Sequence, residues 1–338
     1  MKQIVITRSG GPEVLKIQEK DDPKPGPGKV LLKVKASGIN FADILARKGL
    51  YLDAPKPPCV VGYEVSGIVE QVGPGCDETL VGNEVLTLTR FGGYSDTVTV
   101  PVENILEKPA QLSFAEAAAL PVNYVTAYCL LIVMGSLKSD EAVLIHNAGG
   151  GVGIAALDIA RQIGAMTYGT ASPQKHTFLK ERGLDHPIDY RNQDWEPILM
   201  NLTDNRGVEL VIDPLGGNHW KKSYKVLRHT GRLGMFGVST VTESGLSGKL
   251  RFLKIGIQMP WFNPISLMNS NKAVFGVNLG HLWSESAKVK TWFQEIIAAV
   301  QQGCYKPYVD KTFTFEEAGE AHSYIEQRRN IGKVVLVP

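Results

Sequence analysis

The sequence predicts an α/β chain in which a doubly wound parallel sheet is set into a smaller, β-rich domain. The chain has 338 residues, beyond the size at which single hydrophobic cores stop growing, so two domains are expected. Its first third consists of short Val/Ile/Leu runs bounded by Gly and Pro, the texture of a β-barrel. From Tyr124 onward longer helical stretches alternate with short apolar strands, the pattern of repeated βαβ units.

In the first region the strand-like runs are residues 30–34, 65–72 and 85–88, and the Pro/Gly cluster DDPKPGPGKV (21–30) turns the chain into the first of them. In the second, strands are expected at 142–146, 166–170, 187–190, 209–213, 232–238 and 273–278, six in all and enough for a doubly wound sheet. Residues 285–302 then place Val289, Trp292, Phe293, Ile296, Ile297 and Val300 at helical spacing. The chain ends in strand-like KVVLVP, which is expected to rejoin the first domain. The expected boundaries are 1–123 with 283–338 for the β-rich domain and 124–282 for the parallel-sheet domain. Residues 244–271 form an apolar insertion with two open readings, a core-facing helix pair or a cap over an apolar substrate or partner.

The charge balance, 36 Lys+Arg against 34 Asp+Glu, leaves +2 and no basic cluster, which argues against nucleic-acid binding. Cys59, Cys76, Cys129 and Cys304 contain no C-x-x-C pair and read as free thiols of a reducing compartment. With no signal-like opening and no apolar run long enough to span a bilayer, a cytoplasmic protein is expected. The histidines show no metal-ligand spacing, and no G-x-S-x-G elbow follows a strand.

The strand EAVLIHNA runs into Gly149, Gly150, Gly151, Val152 and Gly153 and then into an apolar-periodic helix. Glycines between strand and helix let the backbone approach a pyrophosphate, which the helix N-terminus favours, although Ala148 replaces the first fingerprint glycine. About 20 residues further on, a carboxylate would read a ribose 2′-hydroxyl. Here that stretch reads Gly169, Thr170, Ala171, Ser172, with Lys175 just beyond. A serine donor and a lysine charge suit a 2′-phosphate, so NADPH is the expected cofactor.

KPGPGKVLLKVKASGINFAD, PPCVVGYEVSGIVEQVG, VGNEV, the AGGGVG turn and the closing IGKVVLVP together resemble the medium-chain dehydrogenase/reductase superfamily, in particular its zeta-crystallin-like quinone oxidoreductase branch. Within that branch GTASPQKH, HPIDY, DPLGG and KAVFGVNLGHL are most similar to vesicle amine transport protein relatives. The resemblance implies a GroES-like β-barrel substrate domain beside a Rossmann domain. It implies that Asn40 and Asp43 lie near the nicotinamide, that Tyr51 lines the quinone pocket and that Thr126, Phe236 and Gly237 border the nicotinamide. It also implies that Tyr190 packs at the 2′-phosphate end and that Asn330, Gly332 and Lys333 close over the cofactor. Zinc alcohol dehydrogenases of the superfamily carry Cys at the position of Asn40 and Gly-His-Glu at Gly62, Tyr63, Glu64, so no metal is expected here.

Without a Lewis acid, acceptors that delocalise negative charge are favoured, so the expected reaction is reduction of quinones or conjugated enones by hydride or single-electron transfer. A second class stays open, an NADPH-binding regulatory or membrane-associated protein with little turnover. A homodimer is also expected, because KAVFGVNL would otherwise be an exposed apolar edge, and Val277→Pro is the substitution expected to weaken it.

Overall fold

A computed structural model describes residues 1–240 and 253–338. The chain opens with a two-stranded antiparallel ribbon, β1 (Lys2–Ile6) and β2 (Leu15–Glu19). Strands β3 (Lys29–Gly38), β4 (Glu64–Val72), β5 (Glu84–Leu88), β6 (Thr97–Pro101) and β7 (Leu106–Glu107) follow, with helix α1 (Phe41–Arg47) between β3 and β4. Helices α2 (Phe114–Ala118) and α3 (Pro121–Tyr128) lead into the second domain.

That domain is built on β8 (Ala142–Ile145), α4 (Gly151–Ile163), β9 (Met166–Ala171), α5 (His176–Glu181), β10 (His186–Asp189), α6 (Trp195–Leu202), β11 (Val208–Asp213), α7 (Asn218–Lys225) and β12 (Leu227–Met235). A short helix over 253–258 (α8), then α9 (Pro264–Ser270), precede β13 (Ala273–Gly276). The chain closes with α10 (Ser286–Gln301), β14 (Val309–Thr314), α11 (Ala318–Glu326) and β15 (Lys333–Val337).

Strands β8 to β13 form one parallel sheet in the order β10-β9-β8-β11-β12-β13. The chain reverses direction across the sheet between β8 and β11, the place where open α/β sheets form their ligand crevice. Both faces are covered, and the side chains alternate accordingly. Val143 and Ile145 of β8, with Leu210 and Ile212 of β11, pack under α3, α4 and α10. Leu144 and Val211 point the other way, toward Trp195 and Leu199 of α6. All six expected strands are present, most of them within a residue or two at each end. β12 differs: it begins at Leu227, passes through Thr230 at φ +70° and shifts register against β11 between Val208 and Leu210. Such an irregularity hides the start of a strand from a simple alternation.

The other sheet has seven strands in the order β14-β15-β3-β4-β5-β7, with β6 also on β3. Val30, Leu32, Val34, Val65, Val69, Val85 and Val100 fill its interior. Phe313, Val334 and Leu336 pack with Ile4 and Ile6, so the C-terminal strands do return to the N-terminal ones.

In the apolar insertion, residues 241–252 lie outside the described residues. Over the remainder the core-facing reading fails. Ile255 alone is buried, against Leu45 and Leu50, while Leu253, Ile257, Ile265 and Met268 are exposed and Trp261 is 99% exposed. Among the described residues no helix is long and apolar enough to cross a membrane, and the four cysteines are free.

Asp158 on α4 ties this domain to the returning chain. Its buried carboxylate accepts hydrogen bonds from the Tyr124 hydroxyl (2.7 Å), the Lys306 amide (2.8 Å) and Arg182 (3.1 Å). Asp158→Ala leaves the Tyr124 hydroxyl and the Lys306 amide without their acceptor and Arg182 without its counter-charge, and is expected to lower stability by about 3 kcal/mol. Urea unfolding followed by tryptophan fluorescence checks this, and an unchanged midpoint would contradict it.

Candidate functional site

The two domains meet along a cleft of about 1220 Å³ over the C-terminal ends of β8 to β13. Pockets for a single small ligand usually reach at most about 1,000 Å³, so the cleft has room for a dinucleotide together with an acceptor.

Its floor is the turn from β8 into α4. Gly150 precedes the helix in extended conformation, and no side chain caps the helix start. A Cβ on Gly153 would come within 2.5 Å of the carbonyl oxygens of Asn147 and Ala148, so only glycine lets the helix sit this close to the strand end. Gly150, Gly151, Val152 and Gly153 line the cleft. Gly149 does not; its carbonyl accepts the Gly332 amide at 2.9 Å, which pins the start of β15 against the turn.

At one end the wall is cationic and aromatic. Lys175 lies beneath Gly149, and its ammonium donates to the Asn330 carbonyl. Burial lowers its pKa to about 8; nearby Asp310 pushes it up, and Arg191 and Arg328 push it down. Tyr190, Arg328 and Asn330 line the same cleft, as do Trp195, His219 and Trp220. Ser172 is 95% buried and does not line the cleft; its carbonyl accepts the Lys175 amide (2.9 Å). The sequence reading missed Arg328, Trp195, His219 and Trp220. The last three begin the helices that follow β10 and β11, where the crevice rule would have directed attention.

At the other end Asn40, Tyr51, Tyr63, Thr126, Phe236, Gly237 and Lys333 line the cleft. Asn40 is fully engaged. Its amide donates to Glu64 Oε1 (2.9 Å) and to the Gly38 carbonyl (3.4 Å), and its Oδ1 accepts from Lys333 Nζ (2.7 Å). Lys333 also forms an ion pair with Glu64 Oε1, and Glu64 Oε2 accepts the Val122 amide at 2.8 Å. The Lys333 and Glu64 side chains are 3% and 0% exposed. Asp43 is not on the cleft wall. It lies underneath, accepting the amides of Asn40 (2.7 Å) and Gly62 (2.9 Å), and burial pushes its pKa up to about 7. Its place makes it a support for Asn40 and the Gly62 turn.

Tyr51 meets Tyr63 edge-on with centroids 6.1 Å apart, and Tyr63 leans on Phe91 at 5.4 Å. Burial raises the pKa of both phenols, so they stay neutral donors. A tetrahedral zinc needs thiolate, imidazole or carboxylate ligands. The matching positions here hold a carboxamide bonded on both sides, a phenol far from deprotonation and a carboxylate paired with an ammonium, and this set does not fit the ion.

The Glu64–Lys333 pair has a direct consequence for stability. Lys333→Met leaves Glu64 buried and unpaired and is expected to destabilise the protein by about 3 kcal/mol or more. Adding Glu64→Gln should recover most of that loss, because the amide still accepts from Val122. Denaturant titration of the two single variants and the double variant measures the coupling, and additive losses would contradict it.

Two family models match the chain: an alcohol dehydrogenase GroES-like domain over residues 26–110 and a zinc-binding dehydrogenase domain over 182–336. The synaptic vesicle membrane protein VAT-1 homolog of Rattus norvegicus is 39% identical over 346 residues, covering 100% of this chain and 84% of that protein. A 2-haloacrylate reductase of Burkholderia sp is 33% identical over 341 residues, covering 99% and 98%. The structure of Escherichia coli quinone oxidoreductase complexed with NADPH superposes with a TM-score of 0.87 at 28% identity, covering 100% of both chains. The fold, the glycine turn at the domain junction and these likenesses agree: the chain belongs to the medium-chain dehydrogenase/reductase superfamily of oxidoreductases.

Proposed function

We propose that this chain is an NADPH-dependent reductase of quinones or conjugated enones that works without zinc. The observation that carries the reading is one continuous cleft that joins the glycine turn and a cationic corner to an aromatic end whose donor set does not suit a metal. Gly150, Gly151 and Gly153 would receive the pyrophosphate, Lys175 and Arg328 the 2′-phosphate, and Thr126, Phe236 and Gly237 the nicotinamide. NADPH supplies the hydride when bound. Tyr51 would hold the acceptor oxygen by a neutral hydrogen bond. A phenol polarises an acceptor far less than a metal ion does, so acceptors that spread their own charge fit best. The likeness to a 2-haloacrylate reductase and to a quinone oxidoreductase supports that class.

NADPH oxidation is to be followed against a panel of ortho- and para-quinones and enones. Turnover with some of them is expected; tight NADPH binding without turnover would instead favour a binding or regulatory protein. The cofactor preference has its own test. Lys175 is protonated below its pKa of about 8 and neutral above it, and pairing with a phosphate raises that pKa. NADPH affinity is therefore expected to fall as pH rises above about 8, while NADH affinity stays flat. Lys175→Ala should weaken NADPH about ten-fold or more, spare NADH and abolish the pH effect. Equal losses for both cofactors would contradict the assignment.

We also propose that a second copy covers the β13 edge. Val277 is a poor probe of that edge, because its amide bonds the Met235 carbonyl inside the sheet at 2.9 Å. By alternation Val274 and Gly276 face outward. Val274→Pro is expected to shift the protein toward monomer in sedimentation velocity, and an unchanged dimer would contradict pairing through this edge.

A further inference from the structure

Behind the cationic end of the cleft lies a buried polar cluster that the proposed reaction does not use. His146 follows β8, Asp213 ends β11, and His219 and Ser223 stand one turn apart on α7. The two histidines and the aspartate place ligand atoms within 4.8 Å of one another. The space among them is filled by the Ser223 hydroxyl, 2.6 Å from Asp213, 3.2 Å from His146 Nε2 and 3.5 Å from His219 Nδ1. The cluster is therefore satisfied by hydrogen bonds, without an ion.

Those bonds fix each proton. Burial pushes the pKa of Asp213 up, but the hydrogen bonds from His219 and Ser223 outweigh it and keep that pKa low, so the carboxylate only accepts. Its Oδ2 takes the Ser223 proton and the His219 Nδ1 proton (2.6 Å), while Oδ1 takes the Leu215 amide at 2.7 Å. Ser223 then accepts from His146 Nε2, and His146 Nδ1 accepts from the Thr170 hydroxyl at 3.0 Å. In the singly protonated His219 ring, Nε2 is thus a bare acceptor. His219 lines the cleft, and no described protein group bonds its Nε2.

Around His219 the wall is flat and aromatic. Trp195 lies 5.2 Å away and tilted 35°, and Trp195, Trp220 and Tyr190 share one apolar cluster. Tyr190, Lys175 and Arg328 line the same cleft, so a base on the ribose whose 2′-phosphate they hold would lie against this wall. We propose that His219 reads that base, its Nε2 accepting a hydrogen bond from the exocyclic amino group of adenine, with Asp213 fixing the ring for the purpose. The proposal rests on the NADPH reading above and adds a residue that selects an amino-purine over a keto-purine.

The test compares NADPH with its hypoxanthine analogue, in which the 6-amino group is replaced by a keto oxygen, by calorimetric titration. An oxygen facing Nε2 sets acceptor against acceptor, so the unsubstituted protein is expected to bind NADPH about ten-fold more tightly than the analogue. His219→Asn keeps a donor for Asp213 but has nothing where Nε2 stood, and should bring the ratio near one, chiefly by weakening NADPH. A ratio near one in the unsubstituted protein, which needs no variant to fold, or a ratio unchanged in His219→Asn, would overturn the assignment while leaving the NADPH reading intact. Binding of neither dinucleotide would overturn both.

Discussion

The ion pair between Glu64 on β4 and Lys333 at the start of β15 sits where every part of the cleft converges. Through Asn40 it reaches the beginning of α1, through the Val122 amide it reaches α3, and the Gly332 amide next to it holds the glycine turn. Both charges are out of water, and a buried pair gives little net stability against apolar residues of the same size. Its contribution is positional. Because neither charge tolerates losing the other, the strand ends that carry them are held in one arrangement, with the aromatic end and the phosphate end of the cleft facing each other.

The remaining polar groups follow the same logic of support from beneath. Asp43 fastens Asn40 and the Gly62 turn from below. Asp213 and Ser223 do the corresponding work for His219 at the far end. In both places a residue that lines the cleft is held by a buried carboxylate that does not line it. This is how a site can be preorganised before any ligand arrives, and it makes the cleft wall sensitive to substitutions one layer away.

Much of the fold was legible because it depends on local pattern. The strands of the parallel sheet are short apolar runs, covered on both faces, and Gly153 at the start of α4 sits where backbone carbonyls leave no room for a side chain. The site was legible where the motif itself forms the wall, as at Gly150 to Gly153, Lys175 and Tyr51. It was not legible where it depends on partners far apart in the chain. Nothing local to Glu64 announces Lys333, and nothing local to His219 announces His146. Asp43 and Ser172 carry suitable groups in suitable stretches, yet the chain turns both away from the cleft. The apolar insertion misled for a related reason. Trp261 and Ile257 look like core residues by composition, but the fold leaves both exposed.

We propose that the chain transfers reducing equivalents without a metal, with Asn40, Tyr63 and Glu64 standing at the ligand positions. The most direct measurement is NADPH-dependent reduction of a responsive quinone or enone before and after exhaustive chelation, with the metal content of the same samples determined by mass spectrometry. The account expects substoichiometric zinc and the same rate in both samples. Activity that disappears with the metal and returns with added zinc would contradict it.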